Sequence, residues 1–227
     1  MQKECAFTGT SLNILRWDLH RVDESNVGDH HWLSASDACY YFHEYTPKQG
    51  FSYSPANQFV FNFKMKVRHR LEPRYRYKTA AIDEAGRRWN ALLKTTAVDQ
   101  LTLVPIPPSK MKGDPEYDDR VWRAVQGAGA TLQVDARELI VQTASYAAAH
   151  EQDDGHRIRP EELEPLYEVS DIAPRQTIVL FDDMLTTGCH FVAAKAAILA
   201  RWPGRDVIGF FLARRVPIAT DFAGLFD

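Results

Sequence analysis

The stretch from Gln176 to Ala193, QTIVLFDDMLTTGCHFVA, constrains the fold of this 227-residue chain more than any other. Its first part, Thr177 to Phe181, is a run of apolar and β-branched residues typical of a buried strand. The acidic pair Asp182-Asp183 follows that run, and Thr186-Thr187-Gly188 precedes an alanine-rich segment. This order predicts a strand, a sharp turn and the first turn of a helix.

Such a turn is a prepared anion site, because the first backbone N–H groups of a helix lack intrahelical partners and carry the positive end of its dipole. Thr186 and Thr187 add hydroxyl donors, and Gly188 lets an anion approach the backbone closely. Carboxylates beside a phosphate suit the vicinal hydroxyls of a ribose. Asp182 and Asp183 are also candidate ligands of a Mg²⁺ ion bound between them and the ribose. These residues predict a phosphate-and-ribose site.

The segment VLFDDMLTTGCHF resembles the loop that binds 5-phosphoribosyl-1-pyrophosphate (PRPP) in type I phosphoribosyltransferases, and more loosely that of the ComF-like branch. The resemblance implies that Asp182 and Asp183 hold the ribose and contribute to catalysis. It implies a 5′-phosphate site made of Thr186, Thr187, Gly188, Cys189 and His190. The family usually has Thr or Ser in place of His190, so either a cationic imidazole substitutes or the site is degenerate. The alternative is an acidic pair beside an ordinary Rossmann-like turn.

A second landmark lies at 101–110, where an apolar stretch ends in LVPIPPSK. Consecutive prolines at a strand's carboxyl end impose a stiff loop, and ligands bind at such ends in open α/β sheets. This segment resembles the family's pyrophosphate loop. The resemblance makes Ser109 and Lys110 pyrophosphate ligands, with Lys110 neutralising charge on the leaving group. A proline-stiffened connection with a surface lysine is the alternative.

The polar segment from Met111 to Arg123 occupies the position of the family's catalytic lid. ComF-like members usually show an Arg-Gly-Phe-Asn-type sequence there, whereas this chain has Tyr117-Asp118-Asp119-Arg120. By this resemblance Arg120 is a third candidate pyrophosphate ligand.

The most basic part of the chain begins in an alternating pattern from Phe59 to Arg70, which predicts a half-buried strand. Its polar face would carry Lys64, Lys66 and Arg68. One interpretation is an edge strand protected from pairing by its charges. The others are attraction of a polyanionic substrate and contact with nucleic-acid phosphates.

The remaining pattern predicts an α/β fold with a doubly wound parallel sheet of the type I phosphoribosyltransferase kind. Helices are predicted over 79–93 and 135–150, a helix start at 34–37 before the aromatic run 39–45, and a further buried strand over 207–213. We expect residues 1–58 to form an N-terminal hood and residues 59–227 the phosphoribosyltransferase-like core, the hood being implied by the resemblance.

Composition and cysteine spacing limit the cellular compartment and the classes of partner that we expect for this protein. Three widely spaced cysteines form no closed disulfide framework, which favours a reducing cytoplasm. We expect no membrane partner, because no apolar run approaches spanning length and the N-terminus lacks the apolar core of a signal peptide. The formal charge of −3 gives no general attraction to nucleic acid.

These observations lead to two functional hypotheses. The first is a PRPP-binding, Mg²⁺-dependent phosphoribosyltransferase that transfers a 5-phosphoribosyl group to an unidentified base or amine and releases pyrophosphate. The second is a non-catalytic regulator that senses PRPP or a nucleotide and acts through nucleic acid or a protein partner. In either case we expect a homodimer or a place in a larger complex.

Overall fold

The computed structural model describes residues 17–94, 97–146 and 158–217. Helices and strands are interspersed along these ranges. The strands are β1 (His20–Arg21), β2 (Cys39–Tyr45), β3 (Leu101–Pro105), β4 (Asp135–Ala136), β5 (Ile140–Gln142), β6 (Tyr167–Val169), β7 (Thr177–Leu185) and β8 (Asp206–Arg215). The α-helices are α1 (Pro55–Phe63), α2 (Tyr75–Leu93), α3 (Arg120–Gly129), α4 (Pro160–Leu163) and α5 (Cys189–Arg201). Short 3₁₀ helices cover Val27–Asp29, Val67–His69, Val98–Gln100 and Glu164–Leu166.

Six strands form the main sheet, in the order β1-β2-β8-β7-β3-β4. All of its pairings are parallel except that of β1 with β2. Strands β5 and β6 form a separate antiparallel pair. The α/β class with a mostly parallel sheet is therefore confirmed, as are the strands predicted near 101–106, 177–181 and 207–213. Because β2, β3, β7 and β8 run in the same direction, their carboxyl ends meet at one edge of the sheet.

Strand β7 is buried on both faces because helices cover both sides of the sheet. Ile178 and Leu180 point into a core that includes α5, whereas Val179 and Phe181 point into a core that includes α1, α2 and α3. Burial on two faces explains why this strand reads as a continuous apolar run. Helices α2 and α3 approach closely at Gly86, where an added Cβ would lie 3.0 Å from the carbonyl oxygen of Ala124.

The strand predicted from Phe59 to Arg70 is wrong, because residues 55–63 form α1. Ser54 caps this helix by accepting a hydrogen bond from the backbone N–H of Asn57, and Pro55 occupies its first turn. Phe59 and Phe63 are buried one helical turn apart, whereas Phe61 is 45% exposed. The spacing of alternate phenylalanines thus fits a helix with one ring facing outward.

The helix predicted over 135–150 is also wrong where residues 135–146 are described; residues 147–150 lie outside the described part. Asp135 and Ala136 instead extend the main sheet by pairing with Thr102 and Leu103 of β3. The Asp135 carboxylate accepts a hydrogen bond from Thr102 Oγ1 at 2.7 Å and does not cap a helix. Pairing with a distant strand outweighed local helix propensity.

Residues 39–45 form strand β2, so the helix predicted to begin at 34–37 is wrong. Asp37 closes a turn by accepting hydrogen bonds from the backbone N–H and hydroxyl of Ser34. The strand then pairs in parallel with β8, from Cys39 opposite Gly209 to Tyr45 opposite Arg215. Part of the stretch assigned to a hood therefore belongs to the main sheet, and residues 1–16 of that stretch lie outside the described ranges.

Helix α2 confirms the helix predicted over 79–93 and begins four residues earlier, at Tyr75. None of the helices in the described ranges is long and apolar enough to cross a membrane.

Candidate functional site

A cleft of about 920 Å³ opens at the carboxyl edge of the sheet. It brings together most of the residues singled out in the sequence. Those in its lining are Lys64, Lys66, Ser109, Lys110, Arg120, Asp182, Asp183, Thr186, Gly188, Cys189 and His190. Thr187 and Arg68 are not part of the lining.

The two adjacent aspartates have different surroundings. Asp183 is almost fully buried, and its carboxylate accepts hydrogen bonds from Lys64 Nζ at 3.0 Å and Arg120 Nε at 2.7 Å. Burial opposes its ionisation, but the charges of Arg120 and Lys64 outweigh burial and lower the pKa of Asp183. Asp183 is therefore a firmly ionised anchor for two cations.

Within the described ranges, no lysine or arginine contacts Asp182 in this way. Its Oδ1 accepts the backbone N–H of Asp183 at 2.7 Å, and its side chain is 14% exposed. Burial, followed by the nearby charge of Asp183, raises the pKa of the Asp182 carboxyl above its ordinary value. Asp182 is thus the member of the pair able to exchange a proton or accept a ligand hydroxyl near neutral pH.

Beneath the acidic pair lies a buried chain of charges. Arg120 bridges Asp183 and Asp118, with its Nη1 2.7 Å from an Asp118 oxygen. Asp118 also accepts a hydrogen bond from Lys78 Nζ at 2.6 Å, and Lys78 is completely buried. With Lys64 included, three cations contact two carboxylates in this network, and Lys64 and Arg120 are the two of these cations that line the cleft.

The turn after β7 has the predicted form. Gly188 has a φ of +85°, a left-handed conformation that strains any residue with a Cβ, and it directly precedes α5. The loop around His30 packs against this turn, because the Thr186 carbonyl bonds His30 Nδ1 at 2.5 Å. An added Cβ at Gly188 would lie 2.7 Å from the Leu33 side chain. The loop from His30 to Leu33 therefore holds the turn through both a hydrogen bond and a packing contact.

His190 stands in the first turn of α5, with Nδ1 3.9 Å from Asp182 Oδ2 and Nε2 3.1 Å from the Tyr146 hydroxyl. The His190 side chain keeps 39% exposure, and the desolvation of its ring lowers the pKa of His190 to about 4, which favours the neutral imidazole at pH 7. The cationic imidazole considered for this position is not the form present without a bound anion. If the Tyr146 hydroxyl donates to Nε2, the ring proton lies on Nδ1 and faces Asp182.

The proline loop lies beside this turn, because β3 and β7 are neighbours. Ile106 donates its backbone N–H to the Phe181 carbonyl at 2.8 Å, which carries the pairing past the end of β3. The Ser109 carbonyl accepts the backbone N–H of Tyr146 at 3.0 Å. Tyr146 therefore connects the proline loop with His190.

The basic residues of the predicted strand follow α1 instead. Lys64 is the residue after the helix. Lys66 directly precedes the next 3₁₀ helix, and Arg68 lies within it. Lys64 points to Asp183, whereas Arg68 is exposed outside the cleft. The three side chains therefore do not share one face of a strand.

Sequence reasoning missed Lys78 and Asp118 of the charge network, and Tyr146. One signal for Lys78 was available: it is one helical turn before Ile82, on the apolar stripe of α2, where a lysine requires a partner. Its partner lies 40 positions away in sequence, and nothing local identifies it.

The acidic pair fits a magnesium ion only in part. Mg²⁺ is commonly held by one or two carboxylates together with phosphate oxygens of a substrate. Asp182 could supply such an oxygen. Both oxygens of Asp183 contact cations, at 3.0 Å from Lys64 Nζ and 2.7 Å from Arg120 Nε, so Asp183 does not fit as a direct ligand in this arrangement.

A scan of protein-family models and a search of curated proteins found no match to this chain.

Proposed function

We propose that this protein binds PRPP and acts as a phosphoribosyltransferase. One observation carries the proposal: Asp182 lies in the last part of β7, which ends at Leu185, and a left-handed turn at Gly188 leads directly into α5. The proline loop ends the neighbouring strand and lines the same cleft. An acceptor for ribose hydroxyls, a helix N-terminus for a phosphate and cations for a pyrophosphate thus face one space.

Each part of PRPP has a place in the proposal. The 5′-phosphate would take the backbone N–H groups at Gly188, Cys189 and His190, and Thr186 would add a hydroxyl. The ribose hydroxyls would donate to Asp182. The pyrophosphate would lie toward Ser109 and Lys110, with the positive charge network beneath it.

The reaction is a displacement at the anomeric carbon. The lone pair of an acceptor nitrogen forms the bond to that carbon, and the bond to pyrophosphate breaks with its electron pair remaining on pyrophosphate. The acceptor's proton passes to water. Mg²⁺, held by Asp182 and the pyrophosphate, would supply charge neutralisation of the leaving group.

The protein's own contribution is position and charge. Asp182 would orient the ribose and stabilise positive charge that develops on it, while Lys110 would stabilise the departing pyrophosphate. Asp183 would act by holding Arg120 and Lys64 in place. The catalytic roles predicted for Asp182 and Lys110 are kept, and Asp183 becomes a positioning residue.

Isothermal titration with PRPP and Mg²⁺ tests the proposal. We expect Asp182→Asn to weaken PRPP binding at least tenfold, because a hydrogen bond to a charged acceptor is worth about 1.5–3 kcal/mol. Asp171→Asn is the control, since Asp171 is exposed and outside the cleft. Absence of PRPP binding to the wild type, or equal binding by wild type and Asp182→Asn, would contradict the proposed function.

The sensor hypothesis has one specific observation in its favour. Both oxygens of Asp183 are engaged by Lys64 and Arg120, which leaves one free carboxylate where the resemblance implies two. PRPP binding without pyrophosphate release, across a panel of nucleobases and amines, would favour a sensor. Salt-dependent retention on DNA or RNA, lost in a triple Lys64, Lys66 and Arg68 variant, would identify nucleic acid as its partner.

A further inference from the structure

The cleft extends beyond the acidic pair to a region between α1 and the start of α2 that the proposed function leaves without a ligand. Three aromatic side chains line it: Phe51, Phe61 and Tyr77, which are 44%, 45% and 47% exposed. The Phe51 and Phe61 rings meet edge to face, with centroids 6.2 Å apart. Large rings left in contact with water inside a cleft form a stacking platform for a planar ligand.

The same region is basic. Lys66, His69 and Arg74 line the cleft alongside the rings. Residues 64–76 contain six lysines and arginines, with Glu72 as the one carboxylate among them. Arg74 contacts Glu72 at 2.6 Å and His69 at 2.9 Å, and a guanidinium has five N–H donors, so donors remain for a phosphate.

The aromatic and basic region is a different part of the cleft from the one that we assign to PRPP. The charge network runs from Asp183 through Arg120 and Asp118 to Lys78 near the start of α2, and Arg74 directly precedes that helix. Asp183 and Lys78 are thus the two ends of the network, and Arg74 precedes Lys78 by one helical turn. A volume of about 920 Å³ is near the upper end of ordinary ligand pockets and allows two ligands at once.

We infer that the region formed by Phe51, Phe61, Lys66, Arg74 and Tyr77, here called the aromatic-basic pocket, binds a nucleoside phosphate. The base stacks on the rings, and the phosphate contacts Arg74 and Lys66. A role for this pocket in the transfer reaction rests on the proposed function. The acceptor of the phosphoribosyl group would then be a base that already carries its own sugar phosphate, not a free base.

Ligand titration calorimetry with adenosine 5′-monophosphate, adenosine and adenine, without PRPP, tests the pocket itself. We expect adenosine 5′-monophosphate to bind at least tenfold more tightly than adenosine. The double variant Lys66→Gln with Arg74→Gln should remove that difference and leave adenosine binding unchanged. Phe61→Ala should weaken both ligands about tenfold, because stacking does not depend on the phosphate.

Two matched controls lie close by. Arg87→Gln removes an exposed arginine elsewhere on α2, and Tyr53→Ala removes an exposed ring that does not line the cleft. Both should bind adenosine 5′-monophosphate like the wild type. Equal affinity for adenosine and its monophosphate, or loss of binding in the controls to the same extent as in the pocket variants, would overturn the inference.

Two further arms separate the possible failures. A decathymidylate strand that binds more than a hundredfold more tightly than thymidine 5′-monophosphate would overturn the inference in favour of a nucleic-acid strand. PRPP titrated separately should bind the Phe61→Ala variant like the wild type. If PRPP fails to bind the wild type while adenosine 5′-monophosphate binds, the proposed function fails and the aromatic-basic pocket stands.

Discussion

Asp182 and Asp183 are adjacent residues of one strand, yet their side chains have opposite electrostatic surroundings. Asp183 is held ionised by Lys64 and Arg120, and the charge of Asp183 in turn opposes ionisation of Asp182. A strand turns successive side chains to opposite faces, which is how neighbours come to differ so strongly. The different environments raise the pKa of the Asp182 carboxyl and lower that of the Asp183 carboxyl.

The raised pKa of Asp182 makes protein stability depend on pH. Between the ordinary aspartate pKa of about 3.9 and the raised value, the folded state binds a proton that the unfolded state has lost, so stability falls as pH rises. Asp182→Asn removes this titration. We expect the free energy of unfolding of Asp182→Asn minus that of the wild type to increase from pH 5 to pH 8 in urea titrations.

His190, whose pKa is lowered, is present in both proteins, and its contribution therefore cancels to first order. Asp171→Asn should run parallel to wild type over the same range, because Asp171 is exposed. Parallel curves for Asp182→Asn would contradict the raised pKa.

Gly188 and Gly204 offer a matched comparison of backbone strain and steric contact. Both have φ near +80°, but only Gly188 has a neighbour where a Cβ would be placed. Alanine at either position costs about 1–2 kcal/mol for the left-handed conformation, and Gly188→Ala should cost a further 1–3 kcal/mol, roughly, for overpacking against Leu33. Chemical denaturation measures both, and Leu33→Ala should restore part of the extra loss. Equal losses at the two glycines would exclude a tight contact at Gly188.

At the level of elements, the ion pair of Lys78 and Asp118 joins α2 to the segment that leads into α3. Both side chains are buried, so removing one partner leaves a charge without full compensation. We expect Lys78→Met to lower the free energy of unfolding by about 3 kcal/mol. The double variant with Asp118→Asn should lose less than the sum of the single losses.

The exposed pair of Arg87 and Glu84 on the same helix is the control, and Arg87→Met should lose less than about 0.5 kcal/mol. Strict additivity in the double-mutant cycle at Lys78 and Asp118 would show that the two charges do not interact.

The predictable and unpredictable elements differ in where their determinants lie. Strand β7, the Gly188 turn and α5 could be predicted because apolar run, acidic pair and Thr-Thr-Gly are all local in sequence. Residues 135–136 could not, because their pairing with β3 is a tertiary contact. In α1 the alternation of Phe59, Phe61 and Phe63 matched two periods at once, and only the packing of Phe59 and Phe63 decides between them. The same applies to the site: the motif indicated Asp182 and His190, whereas Lys64 and Lys78 reach it from distant parts of the chain.

At the level of the whole molecule, strand β2 is paired between β1 and β8 and contributes to both cores. We therefore expect residues 39–45 to unfold together with the rest of the sheet. Cys39, fully buried in β2, is a direct probe. Its labelling by a thiol reagent, resolved by peptide mass spectrometry, should show the same opening free energy as global unfolding followed by far-UV circular dichroism. Labelling far faster than global unfolding would show that β2 opens independently.

The pairing of β2 with β8 also has a consequence during synthesis. Glu44 at the end of β2 and Arg214 at the end of β8 are joined by an ion pair although they are 170 positions apart. On the ribosome, β2 has to wait for β8 to emerge before it can join the sheet, and closing so long a loop is entropically costly. The loop that packs on the Gly188 turn shares this delay, because Asp29 also pairs with Arg214. The packing of this loop on the Gly188 turn is therefore completed only after β8 has left the ribosome.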